Sequence, residues 1–248
     1  MFDLSGRVAI VTGGTRGIGR AVAEGLVCAG ASVVVASRKA DACAETESHL
    51  RALGGEALGV PAHMGELGDL RRLVGQTVER FGRLDVVVNN AANALTQPLG
   101  AFTPEAWQKS FDVNLRGPVF LVQEALPHLR ASGHAAVVNV ISAGAFLFSS
   151  FVAMYAAGKA GLMAFTRAMA AQFAPDGIRV NALAPGTVDT DMVRANPPEA
   201  QRSMAEASLM RRAASPDEMV GPALFLASDA SSFMTGQVLL VDGGLVPH

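Results

Sequence analysis

The stretch Val8–Ala31, "VAIVTGGTRGIGRAVAEGLVCAGA", decides the fold. It opens on a short β-branched apolar run that closes on glycine, the pattern of a buried strand. It continues as a helix with Val22, Leu26 and Val27 on one face and Gly30 as its stop. Gly13, Gly17 and Gly19 lie between the two, spaced G-x-x-x-G-x-G rather than G-x-G-x-x-G. The physics of both spacings is similar. Glycine allows a sharp turn and a close approach of the backbone to a pyrophosphate, and the next helix points its N-terminus at the anion. A glycine-rich turn of this kind also occurs without a nucleotide, so the neighbouring segments must be read with it.

They repeat the pattern. "SVVVAS" (32–37) and "LDVVVNNAA" (84–92) read as buried strands, "EALGVPA" (56–62) as a weaker one. "AAVVNVIS" (135–142), "IRVNALAPG" (178–186) and "GQVLLVDGG" (236–244) complete the set. Helical segments alternate with them: 40–55, 68–82, a region from Thr103 to Leu129 broken near Gly117 and Pro118, and 151–174. A polar segment, Thr187–Pro216, precedes a last helix. Strand–helix alternation predicts an α/β fold: a single-domain, Rossmann-like, doubly wound parallel sheet over residues 1–248, with helices on both faces.

Composition agrees. The chain of 248 residues is 50% hydrophobic and 17% charged, as a sheet buried on both faces requires. No stretch of about 18 unbroken apolar residues suggests a membrane span, and no secretory leader opens the chain. The expectation is a cytoplasmic protein. A net charge of −2 without a Lys/Arg run gives no nucleic-acid footprint. Cys28 and Cys43 are too few for a disulfide framework and lack zinc-ligand spacing, so no metal is expected.

In such sheets ligands bind beyond the carboxyl ends of the strands. The second strand ends at Ser37-Arg38, with no Asp or Glu to hold a ribose 2′-hydroxyl. Arg38 offers a planar fork to a 2′-phosphate, Ser37 a hydrogen bond, and Arg16 an approach from the glycine loop. NADP(H) is therefore favoured, with NAD(H) possible. Tyr155, the one tyrosine, stands four residues before Lys159, one of three lysines. On a helix they share a face. An ammonium beside a phenol is expected to lower its pKa and fit it for proton exchange with a carbonyl or alcohol oxygen. Ser142, closing the preceding strand, offers a hydroxyl to the same oxygen.

The ordered set "TGGTRGIG", "NNAA", "NLRG", Ser142, "YAAGK", "NALAPGTVDT" and "LLVDGG" resembles the short-chain dehydrogenase/reductase family nearly end to end. That resemblance implies a catalytic group of Asn114, Ser142, Tyr155 and Lys159. Tyr155 would exchange the proton, Lys159 would lower its pKa and bind the nicotinamide ribose, Ser142 would polarise the substrate oxygen, and Asn114 would hold a water in a proton relay. A protein that only sensed nucleotide would be expected to have lost part of this group. The resemblance further implies phosphate contacts at Gly13, Thr15, Arg16, Gly17, Ile18 and Gly19. It places Asn90 and Ala91 beside the adenosine ribose, and Pro185, Gly186, Val188 and Thr190 at the nicotinamide. Two departures stand out. His63, followed by Met64, replaces the family's adenine-binding Asp. Ala92 replaces the glycine of "NNAG".

The expected substrate is a small carbonyl or alcohol compound. Pocket candidates are Asn93, Ala94, Leu95, Ser142, Phe146, Phe148, Met154 and Met192, mostly apolar, which favours a hydrophobic ketone over a sugar. The resemblance runs to NADPH carbonyl reductases and to 3-oxoacyl-carrier-protein reductases. The latter need basic surface, to which Arg116 and Arg167 are candidates. A mobile lid over Thr187–Pro216 is expected from its length. A homo-oligomer, specifically a tetramer, follows by family analogy alone.

Overall fold

A computed structural model describes residues 2–147 and 152–246. The strands are β1 (Val8–Thr12), β2 (Ser32–Ser37), β3 (Ala57–Pro61), β4 (Val86–Asn89), β5 (Ala136–Val140), β6 (Arg179–Pro185) and β7 (Val238–Val241). They pair in parallel in the order β3-β2-β1-β4-β5-β6-β7. The order reverses between β1 and β4, the switch point at which such sheets open a crevice.

Alternation builds the two cores. Val11, Val33, Val35, Val88 and Val138 face one way and pack on Val22 and Leu26 of α1 (Gly17–Cys28) and on Ala223 and Leu226 of α9 (Val220–Ala227). Ile10, Val34, Val87 and Val137 face the other way. They meet Leu70 and Leu73 of α3 (Leu67–Phe81) and Leu121 and Leu129 of α5 (Gly117–Ser132). A fully buried valine or leucine contributes about 1.5–3 kcal/mol, so this two-sided layer is the main source of stability. The remaining helices are α2 (Ala40–Ala52), α4 (Pro104–Phe111), α6 (Ala153–Phe173), α7 (Asp191–Arg194) and α8 (Pro198–Glu206). Among the described residues no helix is long and apolar enough to cross a membrane.

One expectation is corrected. The helical region after Thr103 is not broken at Gly117-Pro118. The chain stays helical, widening into a π-turn over Asp112–Arg116 from which α5 begins at Gly117. Proline without an N–H is tolerated at a helix start. A Cβ at Gly117 would overlap the Met64 carbonyl, so glycine lets this turn sit against the end of β3. The π-turn carries Asn114, fully buried. Such turns cluster at functional sites.

Candidate functional site

The glycine turn between β1 and α1 uses its glycines in two ways. Gly13 (φ +64°) and Gly17 (φ +52°) adopt the left-handed region. Gly19 permits close approach instead: a Cβ there would overlap the Asn90 side-chain amide and the Gly13 carbonyl. Asn90 Nδ2 donates to Thr12 O at 2.9 Å and Gly13 O at 3.2 Å. Thr12 Oγ1 accepts from the amides of Asn90 and Ala91 at 3.0 and 3.1 Å. The Nδ2 of Asn90 thus holds the loop, leaving its Oδ1 and the nearby backbone for a ligand. Nothing in the sequence points to Thr12 as the other half of this tie except its place beside Gly13.

Helix α1 begins without a side-chain cap and without an acid in its first turn. Its free N–H groups and positive dipole end suit an anion. Arg38 is exposed at the end of β2 and, among the described residues, has no ion-pair partner. Lys39 follows it, its amide donating to Ser37 Oγ at 3.4 Å. Arg16 is placed differently from expectation. Its guanidinium pairs with Asp191 of α7 at 3.1 Å, both side chains well exposed. The glycine turn and the polar segment after β6 are therefore joined. Thr190 also lies against Gly17. An uncapped helix end, a cradle that a Cβ would fill and a free arginine together fit a phosphorylated dinucleotide.

His63 bonds locally. Its amide donates to Asp69 Oδ2 at 2.8 Å and its Nδ1 accepts from the Gly65 amide at 3.1 Å. This leaves Nε2 as the one ring atom free for an adenine, while Met64 is buried. Ala92 is half-buried beyond β4. At the positions expected to meet a nicotinamide, Pro185 ends β6 and the Gly186 amide donates to Val241 O at 3.0 Å. Val188 is buried in the core and bridges to Ala214, closing the base of the Thr187–Pro216 segment.

Beyond the ends of β4, β5 and α6 the remaining groups meet. Lys159 is 1% exposed and its Nζ donates to Val140 O at 2.7 Å. The same Nζ lies 5.8 Å from the Tyr155 ring centre. Full burial lowers the Lys159 pKa to about 8. Tyr155 departs from expectation: burial pushes its phenol up, and the nearby Ser142 hydroxyl acts in the opposite direction without cancelling it. The Lys159 ammonium is engaged with a carbonyl rather than with the phenol oxygen, so desolvation prevails. Ser142 Oγ accepts from the Gly144 amide at 3.0 Å, and its hydroxyl lies within hydrogen-bonding reach of the Tyr155 phenol.

Asn114 is held on all sides. Its Nδ2 donates to Asn93 O (2.8 Å), Asn93 Oδ1 (3.1 Å) and Ser110 Oγ (3.3 Å), and its Oδ1 accepts from the Asn93 amide (3.2 Å). Asn93 Nδ2 donates to Lys109 O at 3.0 Å. Asn93, expected to face substrate, is a brace for Asn114. A Cβ on Gly158 would come within 3.1 Å of Asn114 Cβ, so α6 and the π-turn touch one residue before Lys159.

The pocket candidates divide. Met154 is 2% exposed, so it fills the interior and does not face an open cleft. Phe146 and Met192 are exposed, and Ala94 and Leu95 half-buried. Phe148 lies outside the described residues. Among the described residues no three His, Cys, Asp or Glu side chains gather as a metal site requires.

The family model described as "Enoyl-(Acyl carrier protein) reductase" matches residues 13–246. The chain is 38% identical over 245 residues to the short-chain dehydrogenase/reductase SDRA of Arabidopsis thaliana, covering 98% of this chain and 95% of that one. This chain belongs to the short-chain dehydrogenase/reductase (SDR) family. It is an oxidoreductase. The SDR is also 37% identical over 250 residues to the rhamnolipids biosynthesis 3-oxoacyl-[acyl-carrier-protein] reductase of Pseudomonas aeruginosa, covering 98% and 97% of the two chains. Among solved structures it is similar to a gluconate 5-dehydrogenase from Burkholderia cenocepacia in complex with NADP and tartrate. The TM-score is 0.93 at 36% identity, covering 98% and 96% of the two chains.

Proposed function

We propose that this SDR reduces a ketone or aldehyde on an apolar molecule with NADPH, the reverse oxidation being open to the same site. NADPH, when bound, supplies the hydride. The glycine turn and the α1 N-terminus would hold its phosphates, and Arg38 with Arg16 its 2′-phosphate. Ser142 would donate to the substrate oxygen, Tyr155 would deliver the proton, and Lys159 would bind the ribose hydroxyls. The observation that carries this reading is the Ser142 hydroxyl set beside the Tyr155 phenol, with the Lys159 ammonium 5.8 Å from the phenol ring centre. Both hydroxyls suit an oxygen that gains negative charge as a carbonyl is reduced. The exposed Phe146 and Met192 support an apolar substrate.

Activity on a 3-oxoacyl thioester is a second reading, favoured by the Pseudomonas relative. Of its two basic candidates, Arg116 is engaged by Asp112, while Arg167 has no ion-pair partner among the described residues. A homotetramer is part of the proposal. Exposed Trp107 on α4 and Phe165 on α6 offer apolar surface for it, and sedimentation checks it.

The test is a panel of ketones, acetoacetyl thioester and sugar alcohols, followed by nicotinamide absorbance with each cofactor. Turnover of apolar ketones with NADPH is expected. Arg38→Ala is expected to weaken NADPH binding at least tenfold and leave NADH unchanged. Equal use of NADH by the unmodified enzyme would overturn the cofactor reading.

A further inference from the structure

Beneath the site lies a chain of polar side chains that the reaction does not touch. Asn89 in β4, Asn139 in β5 and Thr166 in α6 are each at most 1% exposed. Asn89 Nδ2 donates to Asn139 Oδ1 at 2.9 Å, and Asn139 Nδ2 donates to Thr166 Oγ1 at 2.9 Å. Thr166 Oγ1 donates to Leu162 O at 2.8 Å. Asn89 Nδ2 also reaches Pro118 O of α5 at 3.4 Å. Polar groups in an apolar layer are costly unless fully bonded. Valine or leucine would join sheet to helix here without that demand. Asn89 Oδ1 even lacks a partner among the described residues. The arrangement therefore contributes something other than stability.

Its placement says what. Asn139 pairs in register with Asn89. One residue beyond Asn139, the Val140 carbonyl accepts from Lys159; three beyond stands Ser142. Thr166 is two helical turns past Lys159, on the same face of α6. Pro118 lies two residues past the π-turn that carries Asn114. The ladder thus ties together β4, β5, α5 and α6, the elements that border or bear the proposed catalytic group.

We propose that Asn139 and Thr166 are positioning residues that set the register of α6 on β5, and so the separation of Tyr155 and Lys159 from Ser142. This rests on the catalytic reading given above. An apolar helix face slides over valines and alanines in small steps at little cost, whereas a directed hydrogen bond admits one register. Misplacing a reacting group by about 1 Å costs roughly 100-fold in rate.

The test is the series Thr166→Ser, Thr166→Cys and Thr166→Val, assayed for kcat, KM and NADPH dissociation constant. Thr166→Val is expected to lower kcat 10- to 100-fold with the NADPH constant within threefold of the parent. Thr166→Ser, which keeps the hydroxyl, stays within threefold in kcat, and Thr166→Cys falls between. The proposal is overturned if Thr166→Val keeps kcat within twofold, if Ser and Val are equally impaired, or if NADPH binding weakens in parallel with kcat. Should the valine variant not fold, Ser against Cys decides, equal kcat overturning the proposal. Full activity of Tyr155→Phe in the same assay would instead remove the catalytic reading, an outcome distinct from any in the Thr166 series.

Discussion

The β5–α6 contact and the Thr187–Pro216 segment treat charge in opposite ways. At β5–α6 an ammonium sits in the interior with a carbonyl as its hydrogen-bond acceptor and, among the described residues, no carboxylate beside it. The Thr187–Pro216 segment instead contributes to three exposed ion pairs: Asp189 with Arg194, Arg212 with Glu218, and Asp191 with Arg16. A buried, unpaired charge is among the most costly features a fold can keep. Exposed pairs contribute little and exchange partners readily. The difference agrees with the proposed function, which puts its chemistry in the buried contact and not in the surface segment.

Lys159→Met breaks the comparison most severely. It removes the costly charge, so the thermal midpoint is expected to hold or rise while kcat falls about 10²- to 10⁴-fold. Activity within tenfold, or a sharply lower midpoint, contradicts the assignment. The unmodified enzyme should show the same group in its pH profile. Lys159, lowered to about 8 by burial, is charged below that pH and neutral above it. The kcat of reduction is therefore expected to be level below about pH 8 and to decline above it. A decline only beyond pH 10 would mean that the lysine titrates as if solvated.

Gly19→Ala is next. Its methyl would press on Asn90 and Gly13 and loosen the glycine turn. NADPH affinity is expected to fall at least tenfold, with a smaller loss of midpoint, as read by cofactor fluorescence and thermal melting. The smallest effect belongs to the surface. Asp191→Asn frees Arg16, so NADPH is expected to bind two- to fourfold tighter at low salt, NADH unchanged, and the gain to vanish at 1 M salt. Weaker NADPH binding would mean that Asp191 helps to hold the cofactor rather than competing for Arg16.

Much of this was legible in the chain because the signals are local. Strand alternation, the glycine turn and the spacing of Tyr155 and Lys159 each depend on neighbours in sequence. What escaped depends on partners far apart. Arg16 and Asp191 are 175 residues distant, and Thr12 and Asn90 are separated by 78. Asn93 read as a pocket residue because its bond to Asn114 needs the π-turn, which no periodicity announced. Met154 sits beside Tyr155 in sequence but one step round the helix, which turns it into the interior. The phenol's raised pKa was missed for a similar reason. Spacing brings Lys159 near the ring, but only the fold shows its ammonium turned to Val140.

Tyr155→Phe tests the central claim most directly, because it deletes one oxygen and keeps the packing. With NADPH and a ketone that the parent enzyme reduces, kcat is expected to fall at least about 10²-fold while the NADPH dissociation constant stays within threefold. Turnover within tenfold of the parent, with the cofactor still bound, would contradict Tyr155 as the proton donor.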